Sequence, residues 1–532
     1  MSVQGAFALA TGSQAEVSSY KANAPVPESR GIDPTMPEGL VAIRFLLPLI
    51  GCVAALAVGW FITCDPNPLT MITVLAGVLM CSTALFNPIL GVYLLIFTSG
   101  YLDLVKRLGI LSDALSGIDV VVTLALAPVL FVAICGGVLY RNIMRRVWLS
   151  QWQVWLAVAI TLAMGAVFFD ALHDSAGVAY ALKDFANSGV YLLLILVGCF
   201  LFPSVPSVQR LLTFTLVVYL PVGLYGIWQQ IFGLADFEID YLNSGFTIDI
   251  TVLEDPILRT FSTLNSPHAL NITMAMLSAL AFFVPLSRGK RGRWQILVGL
   301  IFAVACGTTF VRAGWVLFLL AFVIWICSRW KVTTISMYAA IVVGFVLLFA
   351  NADALLQSLG VVESALPQNN EMQVEAFHVA TFSDRLVSFR NVMTNPAFHT
   401  WFGNRDAGLL EQDSQEYLAH DQIGQILVSY GLAGLTLFGV VLVLTLWFAH
   451  RAVFRQQDQL KREILLGLVS VELATILSGM LFGSHLGIFP VNVLFYLFAS
   501  AVFTVGRNAQ PPPPLVSALD SRAPAATRKA VA

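Results

Sequence analysis

The stretch FVRAGWVLFLLAFVIWICSRW, residues 310–330, decides the fold class. Between Arg312 and Arg329 it contains no charged side chain. An α-helix needs about 20 mainly apolar residues to cross the ~30 Å hydrocarbon core of a bilayer. The stretch therefore predicts a membrane-spanning helix over 313–330 with an arginine at its start.

Similar apolar runs recur along the whole chain. Of its 532 residues 58% are hydrophobic and only 11% are charged, whereas an average soluble domain is about 25% charged. We therefore predict an all-α, polytopic integral membrane protein with about fourteen transmembrane helices. The predicted spans are 41–62, 69–86, 88–104, 118–140, 152–169, 187–202, 210–232, 268–286, 294–311, 313–330, 332–350, 421–448, 464–482 and 487–506. At Asn87-Pro88 the proline either ends one helix or kinks a longer one.

The polar segments divide the chain into regions. Residues 1–40 and 507–532 are predicted to be disordered cytoplasmic tails, 41–350 to hold spans one to eleven, and 421–506 to hold spans twelve to fourteen. The outer loops are 233–267 and the large periplasmic loop 351–420, between spans eleven and twelve. With both termini cytoplasmic, most of the 29 Lys and Arg residues lie inside, as the positive-inside rule requires. This predicts a multi-pass protein of a bacterial inner membrane.

Composition also excludes several classes of protein. The formal net charge is −2, and Lys and Arg do not cluster with stacking aromatic residues, so nucleic acid is not an expected partner. The seven cysteines form no Cys-x-x-Cys pair, which argues against a disulfide framework or a zinc site. No metal or cofactor is predicted.

Arginines on the outer side are the unusual charges of this chain. They are Arg259, Arg312, Arg385, Arg390 and Arg405, with Lys106, Arg107 and Lys183 set aside. A guanidinium stays charged and binds phosphate oxygens through two parallel N–H bonds, which suits a lipid pyrophosphate head group. A loop arginine can equally pair with a nearby acid such as Asp384. For Arg312 a functional role is the favoured interpretation, because a charge at the membrane edge is costly without a partner or a polar cavity.

Residues 381–396, TFSDRLVSFRNVMTNP, predict a short helix in the large loop. Phe382, Leu386, Phe389 and Met393 share one face at the helical period. This pattern is typical of a helix lying on the membrane surface with arginines at head-group depth. A helix packed on top of the bundle is the alternative.

His420 ends the large loop immediately before Asp421 and the next span. Imidazole accepts protons in the physiological range, so His420 is a candidate general base for a hydroxyl. The other outer histidines are interpreted as interface anchors or structural residues; they are His173, His268, His378, His399 and His485. Glu472 lies inside a span and should need a partner.

Four stretches of the second half resemble the O-antigen ligase and polymerase superfamily, the Wzy/WaaL type of bacterial surface-polysaccharide enzymes. They are RTFSTLNSPHAL from Arg259, FVRAGWVLFLL around Arg312, the run from Arg390 through Trp401-Phe402-Gly403 to Gly408, and HDQIGQILVSYGLAG from His420. The sequence departs from the family patterns in three places. A serine is missing before Arg312, residues 404–407 interrupt the glycines, and Asp421 replaces an amide or hydroxyl residue.

The resemblance implies a GT-C-like membrane glycosyltransferase. Such an enzyme transfers glycan from undecaprenyl pyrophosphate to a hydroxyl on the periplasmic face, without a metal and with inversion. It also implies that Arg312 and Arg259 bind the leaving pyrophosphate and that His420 activates the hydroxyl. Arg385, Arg390, Arg405 and Asp421 would hold head group or glycan.

Three functions stay open at the level of sequence. A polymerase would extend a lipid-linked repeat unit, with a chain-length regulator as its expected partner, and the long loop favours it by analogy. A ligase would transfer the glycan to lipid A core. A flippase of lipid-linked oligosaccharides would be expected to carry charges along mid-membrane helices, often with repeat symmetry, and neither feature is evident here.

Overall fold

The computed structural model describes residues 67–112, 116–145, 151–173, 185–244, 258–286, 292–329, 392, 396, 399–403 and 422–507. All of these belong to one compact unit, Pro66–Ala532. The predicted spans 41–62 and 332–350, both predicted tails apart from Arg507, and most of the predicted helix 381–396 lie outside the described residues.

The described part of the chain is helical and contains no strand. The helices are α1 Pro68–Phe86, α2 Pro88–Leu108, α3 Gly117–Arg145, α4 Gln151–His173, α5 Leu194–Leu201, α6 Val205–Phe232, α7 Asp236–Asn243, α8 Pro267–Phe283, α9 Arg293–Gly307, α10 Arg312–Arg329, α11 Gln422–Arg455, α12 Gln459–Phe482 and α13 Val491–Arg507. A π-helical turn, Phe185–Gly189, and a 3-10 turn, Val190–Leu193, precede α5. The predicted span 187–202 is therefore irregular over its first half.

Asn87 separates α1 from α2, which answers the question left open by the sequence. Its backbone is not helical, with φ −135° and ψ 80°. Its side chain accepts a hydrogen bond from the backbone N–H of Leu90 at 3.5 Å, and Pro88 takes the first helical position. Proline is favourable there because that N–H has no partner within the helix. The chain thus forms two helices at this point.

Seven described helices are long and apolar enough to cross a membrane. They are Pro68–Phe86, Pro88–Leu111, Gly117–Ile143, Val205–Phe232, Arg312–Arg329, Gln422–Arg455 and Gln459–Met480. Five shorter apolar helices accompany them. The prediction of a polytopic helical membrane protein is confirmed at this level, while fourteen spans and a GT-C-like fold stay predictions.

Burial distinguishes central helices from peripheral ones. In α8 the residues from Ala269 to Ala281 are all buried, and α8 packs against α9, α10 and α12. By contrast α1, α3 and α9 expose large apolar side chains such as Leu79, Val132 and Leu297. An apolar outer surface around a buried centre suits a protein surrounded by lipid. The ends of α8 and α12 are therefore places where polar groups can be held rigidly.

Candidate functional site

The structure brings Arg259 and Arg312 to the same end of the bundle, called here the arginine end. Thr260, which follows Arg259, donates its backbone N–H to the Thr308 carbonyl at 3.4 Å. The hydroxyls of Thr260 and Thr308 lie 2.8 Å apart. Thr308 opens the turn between α9 and α10, and Arg312 is the first residue of α10. Two arginines that are distant in sequence therefore stand on directly bonded segments.

Asn271 holds the turn that presents Arg312. This fully buried side chain of α8 donates to the Thr309 hydroxyl and to the Val311 carbonyl, both at 2.9 Å. It also accepts the backbone N–H of Gly314. Phe310 has φ 53°, an uncommon conformation for a residue other than glycine. A buried amide thus fixes the start of α10, and the only sequence signal for it was the single asparagine of a mainly apolar helix.

Arg107 fixes the loop that carries Arg259. Its guanidinium forms an ion pair with Glu238 at 2.9 Å and donates to the carbonyls of Ser262 and Leu264 at 2.5 and 3.3 Å. It also lies 4.6 Å from the ring centre of Phe261. Since Arg107 and Glu238 are both buried, the pair is held in one geometry. Arg107 and Glu238, which both precede the stretches of family resemblance, therefore position the loop that carries Arg259.

Gln229 and Lys106 complete this buried network. The Gln229 amide donates to Glu238 at 2.8 Å and accepts the Ser262 N–H at 2.7 Å. Lys106 bonds to Asp103 at 2.9 Å and to the Asn265 side chain at 3.3 Å. At the level of sequence Lys106 and Arg107 were exceptions to the positive-inside pattern. The structure gives them a role in organising the arginine end.

Replacing Glu238 with glutamine should destabilise the protein by about 3–5 kcal/mol, the usual cost of breaking a buried ion pair. The Arg107 charge would be left in the interior without its carboxylate partner. Thermal unfolding of the purified protein in detergent measures the effect.

Glu463 provides the matched control, because it pairs with Arg329 at 3.1 Å but Arg329 is 43% exposed. Glu463→Gln should cost about 0–1 kcal/mol, as partly exposed pairs do. Equal shifts in the two variants would contradict the structural role assigned to the Arg107–Glu238 pair.

Two further stretches with family resemblance, the one that contains Trp401-Phe402-Gly403 and the one that begins at His420, are in contact at Gly431 in α11. Gly431 has φ 62° and ψ −166°, which breaks the helix. The N–H groups of Leu432 and Ala433, which follow the break, donate to the carbonyls of Thr400 and Trp401 at 2.9 and 3.1 Å. The Trp-Phe-Gly segment 399–403 thus caps the second part of α11. A broken helix inside a membrane protein is tolerated where its backbone groups find such partners.

Gly431→Ala should destabilise the protein by roughly 1–3 kcal/mol from backbone strain alone. A Cβ atom would also stand 2.6 Å from the Thr400 carbonyl oxygen, so the capping segment would have to move. Thermal unfolding in detergent again measures the effect.

Gly439→Ala is the control on the same helix, because nothing lies within 4 Å of the added Cβ there. Alanine at such a position should be neutral or stabilise by about 0.4–1 kcal/mol. If Gly439→Ala were the more damaging change, the break at Gly431 would not be a fixed feature.

The remaining predicted site residues lie outside the described part of the chain. They are Arg385, Arg390, Arg405, His420 and Asp421. Val392 is described, and this helical, buried residue clusters with Leu427 of α11. Whether the predicted helix 381–396 lies on the membrane surface or on the bundle stays a prediction.

The start of α11, directly after His420 and Asp421, is tied to the connection between α12 and α13. The Gln422 side chain accepts the Leu486 N–H at 2.8 Å. Next to Leu486, the His485 ring lies with its centre 5.3 Å from that of His268, at the start of α8. The starts of α8, α10 and α11 therefore meet at the arginine end.

Neither a metal-binding cluster nor a partner for the buried Glu472 is found among the described residues. Among the described residues no group of three or more His, Cys, Asp or Glu side chains could hold a metal ion. Glu472 in α12 is fully buried, and within the described ranges its carboxylate oxygens have no hydrogen-bond partner. The partner expected for Glu472 from the sequence is therefore not found among these residues.

The described residues define a polytopic helical membrane protein with an arginine-bearing polar end. No protein-family model matches the sequence, and no curated protein is significantly similar to it.

Proposed function

We propose that this protein is a polysaccharide polymerase of a bacterial inner membrane. It transfers glycan from undecaprenyl pyrophosphate to a hydroxyl of a lipid-linked repeat unit on the periplasmic face, as a metal-independent inverting glycosyltransferase. The observation that carries the proposal is the juxtaposition of the Arg259 and Arg312 segments through Thr260 and Thr308.

The chemistry of a pyrophosphate fits this arrangement. Two guanidinium groups can bind several phosphate oxygens through paired, charge-assisted hydrogen bonds. Arg312 also stands at the N-terminus of α10, where the helix dipole favours an anion. The polyprenyl chain of such a substrate would lie in the bilayer beside the apolar helices. The positive charges of Arg259 and Arg312 at the membrane edge would then stabilise the leaving pyrophosphate group.

The proposed reaction is a single displacement. The acceptor hydroxyl oxygen attacks the anomeric carbon, the bond from that carbon to the pyrophosphate oxygen breaks, and undecaprenyl pyrophosphate leaves with the electron pair. Arg259 and Arg312 neutralise the developing charge. His420 accepts the hydroxyl proton, and Arg385, Arg390, Arg405 and Asp421 hold head group or glycan.

Two alternatives differ from the polymerase in a measurable way. A ligase would use the same donor site but transfer the glycan to lipid A core. A flippase would move the lipid-linked oligosaccharide without breaking the pyrophosphate bond. Arg259 lies in a loop and Arg312 at a helix start, which favours chemistry at the membrane surface over passage through its centre. Lipid-linked oligosaccharide, membrane lipid and a chain-length regulator are the proposed partners.

A deletion strain tests the proposal directly. Loss of a polymerase should leave single lipid-linked repeats in the periplasmic leaflet and no polymer. Loss of a ligase should leave long lipid-linked chains that are not attached to lipid A core. Repeats confined to the cytoplasmic leaflet would instead identify a flippase.

A further inference from the structure

A polar cleft opens at the arginine end, beside the residues already described. Its volume is about 320 Å³. It lies between the starts of α8 and α11 and the end of α12. Its lining includes His268, Gln425, Phe482, Gly483, Ser484 and Gly487. The sequence had indicated only an interface anchor or a structural role for His268.

The lining suits an uncharged ligand rich in hydroxyl groups. The imidazole of His268, the amide of Gln425 and the hydroxyl of Ser484 can each donate and accept a hydrogen bond. No Lys, Arg, Asp or Glu is among the described residues that line the cleft. Phe482 supplies an apolar wall against which the C–H face of a sugar ring can pack. These groups can bind a neutral sugar. A phosphate is a less suitable ligand, because no cationic side chain is among the described residues that line the cleft.

The cleft walls are held by hydrogen bonds and ring contacts. The Ser484 carbonyl accepts the Gly487 N–H at 3.3 Å, and the Gly483 carbonyl accepts the His485 N–H at 2.9 Å. Gly483 has φ 146°, a conformation that favours glycine. A lining fixed before binding loses little conformational entropy when a ligand orders it.

The position of the cleft connects it to the arginines. His268 precedes Asn271 by three residues on α8, which is about 4.5 Å along the helix axis. Asn271 bonds to the turn that starts at Thr308 and ends at Arg312. A sugar attached to a pyrophosphate at the arginines would therefore emerge next to the cleft.

We infer that this cleft binds a neutral sugar ring of the glycan substrate, with His268, Gln425 and Ser484 as its hydroxyl-binding residues. The inference rests on the proposed function, since it takes Arg259 and Arg312 as the pyrophosphate site. The sugar can belong to the lipid-linked donor or to the acceptor.

Thiol protection distinguishes the two sites. Ser484→Cys reports on the cleft, and Phe310→Cys reports on the turn before Arg312, where Phe310 is 42% exposed. Each full-length variant, in lipid nanodiscs, is labelled with a maleimide, and labelling of the native cysteines is measured on the unsubstituted protein. The probes are a lipid-linked repeat unit, undecaprenyl pyrophosphate, and the free oligosaccharide.

The lipid-linked repeat should slow labelling of both reporters at least tenfold, and undecaprenyl pyrophosphate should slow only Phe310→Cys. Protection of Ser484→Cys by the free oligosaccharide as well would show that the cleft binds the sugar without its lipid, and protection only by the lipid-linked form would show that the pyrophosphate at the arginines is needed too. If every glycan probe leaves Ser484→Cys unprotected while Phe310→Cys is protected, the cleft assignment is wrong and the proposed function survives. If neither reporter is protected, both are wrong.

Substitution of Gln425 gives a second readout that does not depend on labelling. Gln425 is exposed in the cleft, so Gln425→Ala should fold, and loss of its hydrogen bonds should raise the KM for the lipid-linked repeat about fivefold. Gln459→Ala, an exposed glutamine at the opposite end of the α11–α12 hairpin, should leave KM unchanged. Equal KM values for both variants would overturn the role of Gln425.

Discussion

Replacing Arg312 with alanine should lower polymer formation by about 10³-fold or more, comparable to the loss of an arginine that stabilises charge on a transferring phosphate. Arg312→Lys should be nearly as inactive, because a lysine ammonium lacks the planar fork that binds two oxygens at once. Single lipid-linked repeats should accumulate in the periplasmic leaflet while the protein stays inserted. The measurement is the ratio of polymer to lipid-linked repeats in a complemented deletion strain.

Arg329 is the matched control for Arg312, since it ends the helix that Arg312 begins. It packs 4.5 Å from the ring centre of Trp325 and is partly exposed. Arg329→Ala should keep most of the activity. Near-normal activity of Arg312→Lys would show that only a charge is needed there, and repeats trapped in the cytoplasmic leaflet would favour transport over transfer.

Much of the helical architecture could be predicted because each span is a local property of the chain. The prediction of 313–330 differs by one residue at each end from α10, Arg312–Arg329. A long apolar run between charges admits few other structures in a bilayer, since backbone groups there must be satisfied within the segment. The positions of these helices can therefore be predicted from the sequence without knowledge of the tertiary contacts.

The polar network of the arginine end could not be predicted in the same way. Arg107 and Glu238 are 131 residues apart, and no periodicity relates them. Helix α7, which supplies Glu238, lies in a segment predicted only as the outer loop 233–267. Buried charges find partners through the tertiary fold. The local sequence around a buried charge shows only that the charge needs a partner, not which residue supplies it.

The break in α11 has a similar explanation. The sequence predicts a continuous span over 421–448, because no charged residue and no proline interrupts it after Asp421. The break depends on the carbonyls of Thr400 and Trp401, which replace the lost helical acceptors. The grouping of the Arg259 and Arg312 stretches was expected only through family resemblance, and their hydrogen-bonded contact gives it a physical basis.

His420→Ala should reduce the rate of transfer by about 10² to 10⁴-fold, the usual range for a positioned general base. Binding of the lipid-linked donor should change little, because the proposed pyrophosphate site at Arg259 and Arg312 is left intact. With His420 present, activity should fall at acidic pH as the imidazole is protonated, and the residual activity of His420→Ala should lack that acid limb. Single-turnover rates across pH, together with donor binding to the purified variant, measure both effects.

Asp421 beside His420 is the competing proton acceptor, so Asp421→Asn is the paired variant. If His420→Ala keeps near-normal activity while Asp421→Asn is inactive, the base has been assigned to the wrong neighbour. If both variants bind donor poorly, the two residues position the start of α11, which Gln422 ties to Leu486. The proton would then have to pass to another residue at the arginine end. Weak donor binding with an intact acid limb in His420→Ala would exclude His420 as the base.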